Sequence, residues 1–380
     1  MLVILFATEG TWVARLLAWR GFVAIGLISY SAYLWHQPIL SLARIRLIEP
    51  SQMQMVALIA LTFGLAWVSW RFVEQPFRAR NATGYKLARS WAFGATGFAM
   101  AGFVVWSSYW LLGPGIAAQS IKANPGIATY MAYEDYNRAF FNADCFLSKS
   151  RGDFARFDKE QCLKLATDRP NVLVMGNSHA AHLVTGLRTR FPGVNFLQAV
   201  ASGCTGLLPL HGEQRCTDLF NYIYDEFLPR QQLDAIILSS LVQLEDIPSY
   251  PATVEALAER TRQGVLVVGP TFEFQPALYL VMANALRFSV AGDAAQSAQP
   301  YLAPDRAKMD LLVAKALDGF AGVHYASVFK RFCRPDCPVF STVGELFTFD
   351  TGHYTRSGAL DVAESLRGDL TLMRIVSPQD

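Results

Sequence analysis

Hydrophobic and polar positions are unevenly distributed along this chain, and three long stretches near its beginning contain no charged residue. These stretches cover residues 21–43, 50–70 and 90–121. Each supplies the roughly 20 apolar residues that a helix needs to cross a bilayer. We therefore predict three transmembrane helices, at about 21–43, 50–70 and 91–112.

A different pattern begins after the third stretch, where polar and apolar residues mix as they do in water-soluble domains. Apolar runs without alternation are typical of parallel strands buried on both faces. Such runs alternate here with helix-like segments, which predicts an α/β fold with helices on both sides of a parallel sheet. The predicted strands are 171–175, 194–199, 235–238 and 265–268, and the predicted helices include 180–190, 218–228 and 253–262.

Basic residues in the loops predict how the chain is oriented in the membrane. The loop between the first and second predicted helices holds only Arg44 and Arg46, whereas the next loop holds Arg71, Arg78, Arg80, Lys86 and Arg89. Loops rich in Lys and Arg stay in the cytoplasm. We therefore predict a multi-pass protein of a bacterial inner membrane, with transmembrane helices over 1–115, a linker over 116–135 and a periplasmic domain over 136–380.

The overall composition fits a membrane protein and gives no sign of a nucleic-acid partner. Of the 380 residues, 52% are hydrophobic and 17% are charged, and the net charge is +2. No block of Lys and Arg is present, so we expect the lipid bilayer as a partner and no nucleic acid. No phosphate-cradling glycine loop is present either. We expect neither a bound nucleotide cofactor nor a metal.

All six cysteines lie in the predicted periplasmic domain, at positions 145, 162, 204, 216, 333 and 337. An even number confined to an exported domain predicts disulfides formed in an oxidising compartment. Pairing between neighbours in the sequence would close three local loops, but the sequence does not choose among the alternative pairings. Zinc binding is the rival reading for Cys333 and Cys337, although no second Cys or His pair lies nearby to complete a tetrahedral site.

Two segments of this domain carry the residue types of a serine nucleophile and its base. Ser178 follows directly after the first predicted strand, at the end of a parallel sheet where ligands bind. Asp350 and His353 lie three residues apart near the C-terminus. An Asp at this spacing can hold the His ring as a base for a serine hydroxyl. Taken singly, the first segment reads equally well as a capped strand-to-helix turn and the second as a surface turn.

The remaining candidate histidines have two readings each. His36 falls inside the first predicted membrane helix, where an ionisable residue suggests a functional site. Its neighbours Tyr33 and Trp35 favour instead the aromatic belt at a membrane interface. His179 and His182 have the spacing of neighbours on one helix face. We expect them to pack and hydrogen-bond near Ser178 rather than to form a metal pair.

Several motifs together resemble one known family. In the domain they are GNSH at 176–179, ASGCTGL at 201–207, VLVVGPTFEF at 265–274 and DTGHYTRSGA at 350–359; upstream they are ISYSAYLWHQPIL at 28–40 and RFVEQPFR at 71–78. With these motifs the chain resembles the C-terminal helices of acyltransferase-3 membrane proteins fused to an SGNH-type, GDSL-like hydrolase or acyltransferase domain. The resemblance covers nearly the whole chain.

This resemblance implies O-acylation, usually O-acetylation, of a cell-surface or periplasmic glycan such as lipopolysaccharide, through an acyl-serine intermediate. Ser178 would be the nucleophile, His353 the general base and Asp350 its orienting acid. The backbone N–H groups of Ser178 and Gly203 would form part of the oxyanion hole. The acyl donor implied is one such as acetyl-CoA, which the membrane part of the family handles, and the functional reading of His36 would then be a role in handling the acyl group.

The chain departs from the family pattern in two places. The wider superfamily supplies an Asn oxyanion donor after the third predicted strand, where this chain reads ILSSLVQLED, and Gln243 is only a guess as its replacement. The chain also begins at the last few helices of the bundle. The expectation is therefore an N-terminally truncated sequence or a separate polypeptide that supplies the donor-side helices.

Two other functions remain open on this sequence. The same three side chains would serve a periplasmic serine esterase or deacetylase, because the outcome depends on whether water or a sugar hydroxyl attacks the acyl-serine. A non-catalytic, membrane-tethered remnant or glycan-binding module is the third reading.

Overall fold

The computed structural model describes residues 11–46, 52–75, 102–103, 105–106, 145–149, 153–282 and 295–377. The chain divides into two compact units, Met1–Gly113 and Pro114–Asp380. We describe each unit by itself.

The N-terminal unit contains helices α1 (Trp12–Leu17), α2 (Arg20–Arg46) and α3 (Gln52–Ser69), and α3 continues into a π-helical turn at Trp70–Glu74. Helices α2 and α3 pack together, and the Trp35 indole N–H donates to the Ser69 hydroxyl at 2.7 Å. A hydrogen bond from the Ser31 hydroxyl to the Glu74 carboxylate adds a second polar link between the two helices.

Only one helix among the described residues is long and apolar enough to cross a membrane, and it covers Gln52–Glu74. This agrees with the second predicted span. The first predicted span is helical within α2, but its Tyr, His, Gln and Pro residues keep it below the same standard of apolarity. The third predicted span lies outside the described residues except at positions 102, 103, 105 and 106. The number of membrane helices therefore stays a prediction.

The C-terminal unit is built on a six-stranded parallel sheet with strand order β1-β3-β2-β4-β5-β6. The four predicted strands form its centre, and the two edge strands were not predicted. The strands are β1 (Phe146–Leu147), β2 (Asn171–Gly176), β3 (Asn195–Ala201), β4 (Ala235–Ser239), β5 (Val265–Val268) and β6 (Val323–Ala326).

Helices cover both faces of this sheet, as the continuous apolar strands predict. Along β2, Val172 and Val174 face one buried cluster while Leu173 and Met175 face the other, because successive side chains of a strand point to opposite faces. The helices are α4 (Lys159–Cys162), α5 (Ser178–Arg190), α6 (Gln214–Asn221), α7 (Leu228–Arg230), α8 (Tyr250–Ala258), α9 (Pro304–Ala316), α10 (Val328–Phe332), α11 (Arg356–Ser365) and α12 (Arg367–Leu372). Shorter 3-10 turns lie at Phe154–Arg156, Leu244–Ser249 and Gln296–Tyr301, and a π-helical segment follows α6 at Tyr222–Phe227.

Helices α5 and α11 lie side by side on one face of the sheet and approach each other at a glycine. A Cβ atom added to Gly186 would lie 2.1 Å from the backbone oxygen of Ala359. A real Cβ cannot come this close to a backbone atom, so the glycine is what allows the two helices to pack at this distance. The contact matters for the site because α5 begins at Ser178 and α11 begins three residues after His353.

The six cysteines form three disulfides between sequence neighbours: Cys145–Cys162, Cys204–Cys216 and Cys333–Cys337. The zinc reading of the last pair is therefore wrong, since both sulfurs are used in a covalent bond.

Candidate active site

The turn between β2 and α5 brings Ser178 to the carboxyl end of the sheet. Asn177, not Ser178, caps the helix, because its side-chain oxygen accepts the His179 N–H at 3.0 Å. The same amide pairs with the backbone of Leu241, accepting its N–H at 3.1 Å and donating to its carbonyl at 2.9 Å. The capping role that a serine could have taken is thus filled, and the Ser178 hydroxyl is available for chemistry.

The three side chains singled out in the sequence lie in one chain of hydrogen bonds. His353 Nε2 lies 2.8 Å from Ser178 Oγ, although 175 residues separate the two in the sequence. On the other side of the ring, His353 Nδ1 lies 2.6 Å from Asp350 Oδ2. The side chains of His353 and Asp350 are 24% and 19% exposed, so the group is partly buried and still open to a substrate.

Asp350 is held in the ionised state that this arrangement needs. Burial alone raises the pKa of its carboxyl group, but the hydrogen bonds and charge of His353, together with the Gly352 N–H, outweigh burial and lower the pKa. Its second oxygen, Oδ1, accepts the backbone N–H of His353 at 2.6 Å and that of Gly352 at 2.9 Å. An ionised carboxylate keeps the proton of the ring on Nδ1, so that the lone pair of Nε2 faces Ser178 Oγ.

His179 and His182 lie in the protein interior beside these groups. The His179 ring lies 4.9 Å from the His353 ring, and its Nδ1 is 3.2 Å from the Thr271 hydroxyl. His182 stacks on Tyr354, and its Nδ1 accepts the Tyr354 N–H at 3.2 Å. Burial and the neighbouring imidazoles lower the pKa of both rings well below 6.5. Both histidines therefore act as neutral packing and hydrogen-bonding groups, as predicted.

The backbone around Gly203 lies at the same sheet edge as Ser178. Strands β2 and β3 are neighbours, with Gly176 opposite Val200. Ser240 connects the loop after β2 with the loop after β3. Its hydroxyl accepts the Asn177 N–H at 3.2 Å and donates to the Thr205 carbonyl at 2.9 Å. Within the described part of the chain, neither the Ser178 N–H nor the Gly203 N–H is engaged in a hydrogen bond. Both are therefore free to bind a developing negative charge.

Gln243, the guessed replacement for the superfamily's Asn, has a different place. Its side-chain oxygen accepts the Asp246 N–H and forms a capping box at the start of the 3-10 turn Leu244–Ser249. No hydrogen bond of the described residues joins it to Ser178. The reason is local, because Gln243 stands at the N-cap of this turn and Asp246 at its third residue, where the two can bond reciprocally.

A buried ion pair beside the site was not recognised in the sequence. Glu273 Oε2 lies 3.2 Å from Arg306 Nε, and Arg306 also donates to the Val242 carbonyl at 3.1 Å. Burial raises the pKa of the Glu273 carboxyl group although Arg306 opposes this. The pair links the loops after β4 and β5, and Gly352 packs against Glu273. The sequence signal that could have indicated Glu273 is its position five residues after the buried strand β5, on the side of a parallel sheet where ligands bind.

His36 lies in the N-terminal unit. Its ring contacts Tyr33, with Nδ1 2.5 Å from the Tyr33 carbonyl oxygen. It also lines a groove of about 420 Å³ between α2 and α3. These contacts are compatible with both readings of this residue.

Comparisons with known proteins agree with this architecture. The model of one family, described as SGNH domain (fused to AT3 domains), matches residues 144–367. The peptidoglycan O-acetyltransferase OatA of Listeria monocytogenes is 31% identical over 88 residues, which are 22% of this chain and 14% of that protein. The match thus spans only a small part of that relative.

Among solved structures, the periplasmic domain of a lipopolysaccharide acetyltransferase from Salmonella ser. Paratyphi A superposes with a TM-score of 0.54. The superposition covers 65% of this chain and 99% of that domain, at 17% sequence identity. At this identity the likeness shows a shared fold.

Proposed function

This chain belongs to the family of SGNH domains fused to AT3 domains, and we propose that it is a membrane-anchored O-acyltransferase. It passes an acyl group, most simply acetyl, to a hydroxyl of a periplasmic or cell-surface glycan. The observation that carries the proposal is the chain of hydrogen bonds from Ser178 through His353 to Asp350 at the carboxyl ends of the strands.

The geometry supports a two-step transfer through Ser178. His353 Nε2 takes the proton of the Ser178 hydroxyl as Oγ attacks the carbonyl carbon of the acyl donor. The oxyanion that forms is stabilised by the N–H groups of Ser178 and Gly203. The tetrahedral intermediate collapses, and the leaving group takes the proton from His353 and departs. Ser178 then carries the acyl group as an ester.

The second step repeats this chemistry with the glycan as nucleophile. An acceptor hydroxyl gives its proton to His353 and attacks the acyl-serine carbonyl. A second oxyanion forms, and collapse returns the proton to Ser178 Oγ and releases the acylated glycan. Asp350 stabilises the imidazolium that appears in both steps and keeps its proton on Nδ1.

The cellular setting is part of the same proposal. The five basic residues between positions 71 and 89 support a periplasmic location of the domain by the positive-inside rule. The three membrane helices are predicted from the uncharged stretches, and an acyl donor such as acetyl-CoA follows from the family resemblance. AT3 fusion in the matching family supports this setting.

The test uses the full chain in detergent micelles with p-nitrophenyl acetate as donor and a cell-wall or lipopolysaccharide oligosaccharide as acceptor. We expect acetylated oligosaccharide by mass spectrometry, and no product with Ser178→Ala. Release of free acetate with no acetylated glycan would instead assign an esterase. A sulfonyl fluoride that leaves Ser178 unlabelled in the folded protein would exclude both enzymes and leave a binding module.

A further inference from the structure

Helix α6 carries two adjacent residues that hold the loop around Gly203 from both sides. The Arg215 guanidinium donates from Nη2 to the Ser202 carbonyl at 2.6 Å. The next residue, Cys216, forms the disulfide to Cys204. The residues before and after Gly203 are therefore each fixed to the same turn of one helix.

Arg215 also ties this loop to the edge of the sheet. Its Nη1 donates to the carbonyl of Leu147, the last residue of β1, at 3.1 Å. The Ser202 N–H donates to the same carbonyl at 2.9 Å. A further contact joins Nη1 to the sulfur of Cys204 at 3.3 Å. The guanidinium thus links β1, the glycine loop and the disulfide in one network.

The burial of Arg215 argues for a role beyond packing. Its side chain is 5% exposed, and its charge is balanced by Glu213, whose Oε2 lies 3.0 Å from Nε. Lys149 also approaches Glu213, at 3.4 Å. The Glu213 side chain is 55% exposed, so water screens this pair and the pair adds little net stability, while the buried guanidinium still loses its hydration. A planar guanidinium, however, fixes two carbonyl groups in direction as an apolar side chain cannot.

The loop needs such fixing because Gly203 has an intrinsically permissive backbone. Its φ is +70°, and an added Cβ would meet only Lys149, at 4.0 Å. Crowding therefore does not hold this peptide in place. An oxyanion donor works only when its direction is set before the charge develops.

We propose that Arg215 and the Cys204–Cys216 disulfide are positioning elements of the reaction, which together hold the Gly203 N–H in the direction required of an oxyanion donor. This inference rests on the proposed acyl transfer through Ser178. Neither element touches the substrate, and both act through the peptide of Gly203.

The test compares esterase kinetics of full-length variants in detergent. Arg215→Met removes both carbonyl contacts, and Arg215→Lys keeps the charge without the planar fork. Cys204→Ser/Cys216→Ser removes the disulfide beside Gly203. Cys333→Ser/Cys337→Ser is the matched control, because that disulfide lies after α10 and contacts Gln299 instead.

The readout is kcat and KM on p-nitrophenyl acetate and on its thionoester. Loss of a single oxyanion donor costs on the order of 10²–10³ in kcat, and a misdirected donor should cost about 10- to 100-fold. We expect kcat to fall with little change in KM. The preference for the oxygen ester should shrink as well, because an N–H donor stabilises an oxyanion better than its sulfur analogue. The control should keep both quantities.

The outcomes separate this inference from the proposed function. A wild-type protein without turnover on either ester would refute the function itself. An active wild type whose Arg215 and Cys204/Cys216 variants keep kcat within twofold would overturn the positioning role. So would a fall in kcat with an unchanged ester preference, since general loosening of the fold affects both esters alike.

If a variant does not fold, the same question is tested on the wild-type protein by partial reduction. Wild-type chain is treated with graded reductant, and the open fraction of each disulfide is mapped by mass spectrometry. We expect kcat to follow the Cys204–Cys216 fraction. Dependence on the Cys333–Cys337 fraction alone, or on neither, contradicts the proposal.

Discussion

Replacing Asp350 with Asn separates the charge of this residue from its hydrogen bonds to the backbone. Oδ1 of Asp350 accepts the His353 and Gly352 N–H groups, and an Asn side chain can keep both bonds. The group that would face His353 Nδ1 is then an N–H donor in place of Oδ2. The Asn N–H and the His353 Nδ1–H would then face each other as two donors. The ring avoids this by carrying its proton on Nε2, which leaves no lone pair toward Ser178.

The magnitude follows from this change of tautomer. The same substitution in a serine protease triad lowers kcat by about 10⁴. We expect a fall in kcat on the order of 10³–10⁴ for Asp350→Asn, which corresponds to about 4–5.5 kcal/mol at about 1.4 kcal/mol per factor of ten. The loss of stability should be smaller, because one charge-assisted hydrogen bond contributes about 1.5–3 kcal/mol and two backbone bonds remain.

The assay is turnover of p-nitrophenyl acetate at neutral pH, with thermal unfolding measured on the same samples. Asp318→Asn is the matched control, since it removes one carboxylate from an exposed position. We expect the control to have wild-type kcat. A folded Asp350→Asn protein that loses less than tenfold in kcat would refute the role assigned to this carboxylate.

Three further predictions concern the framework of the site. Asn177→Ala should lower the free energy of unfolding by about 2–3 kcal/mol, from one helix cap and the bonds to the loop after β4; urea denaturation with an unchanged midpoint would contradict this. Burial lowers the pKa of His182 in the folded protein, so below about pH 6.5 this ring takes up a proton only in the unfolded chain. The free energy of unfolding should therefore fall as the pH is lowered, by up to about 1.4 kcal/mol per pH unit. His182→Gln should make this dependence on pH less steep, and an equal slope in both proteins would count against a buried neutral ring. Gly186→Ala gains about 1 kcal/mol of helix propensity, but the clash with Ala359 should cost more stability than this and lower kcat. The control is Gly368→Ala, at a helical glycine with open space around it, which should leave kcat unchanged. Equal stability and kcat in the two variants would contradict this prediction.

The centre of the fold could be predicted from the sequence because its strands are continuously apolar. Strands β2 to β5 are buried on both faces, and this favours residues such as Val172 and Leu173 at successive positions. The edge strands carry a weaker signal. Strand β1 has two residues, and β6 is only partly buried along most of its length. Strands this short or this exposed do not differ in pattern from loops.

The candidate site could be predicted only from local signals in the sequence, which are a position directly after a strand or a short spacing between two residues. Ser178 follows a buried strand, and the Asp350–His353 spacing is local, so both were recognisable, while their catalytic roles stay a prediction. The carbonyl and sulfur partners of Arg215 lie at positions 147, 202 and 204, and no local pattern connects them. The Glu273–Arg306 pair likewise depends on how the loop after β5 meets helix α9 in space. Such contacts follow from the tertiary fold.

The close contact between Gly186 and Ala359 has a consequence for how this protein can diversify. The two helices that begin near Ser178 and His353 are held at a distance that backbone atoms set. Residues on the surrounding loops can therefore be exchanged without changing the spacing of these two helices. Under the proposed acyl transfer, selectivity can drift over generations while the chemical step is inherited intact.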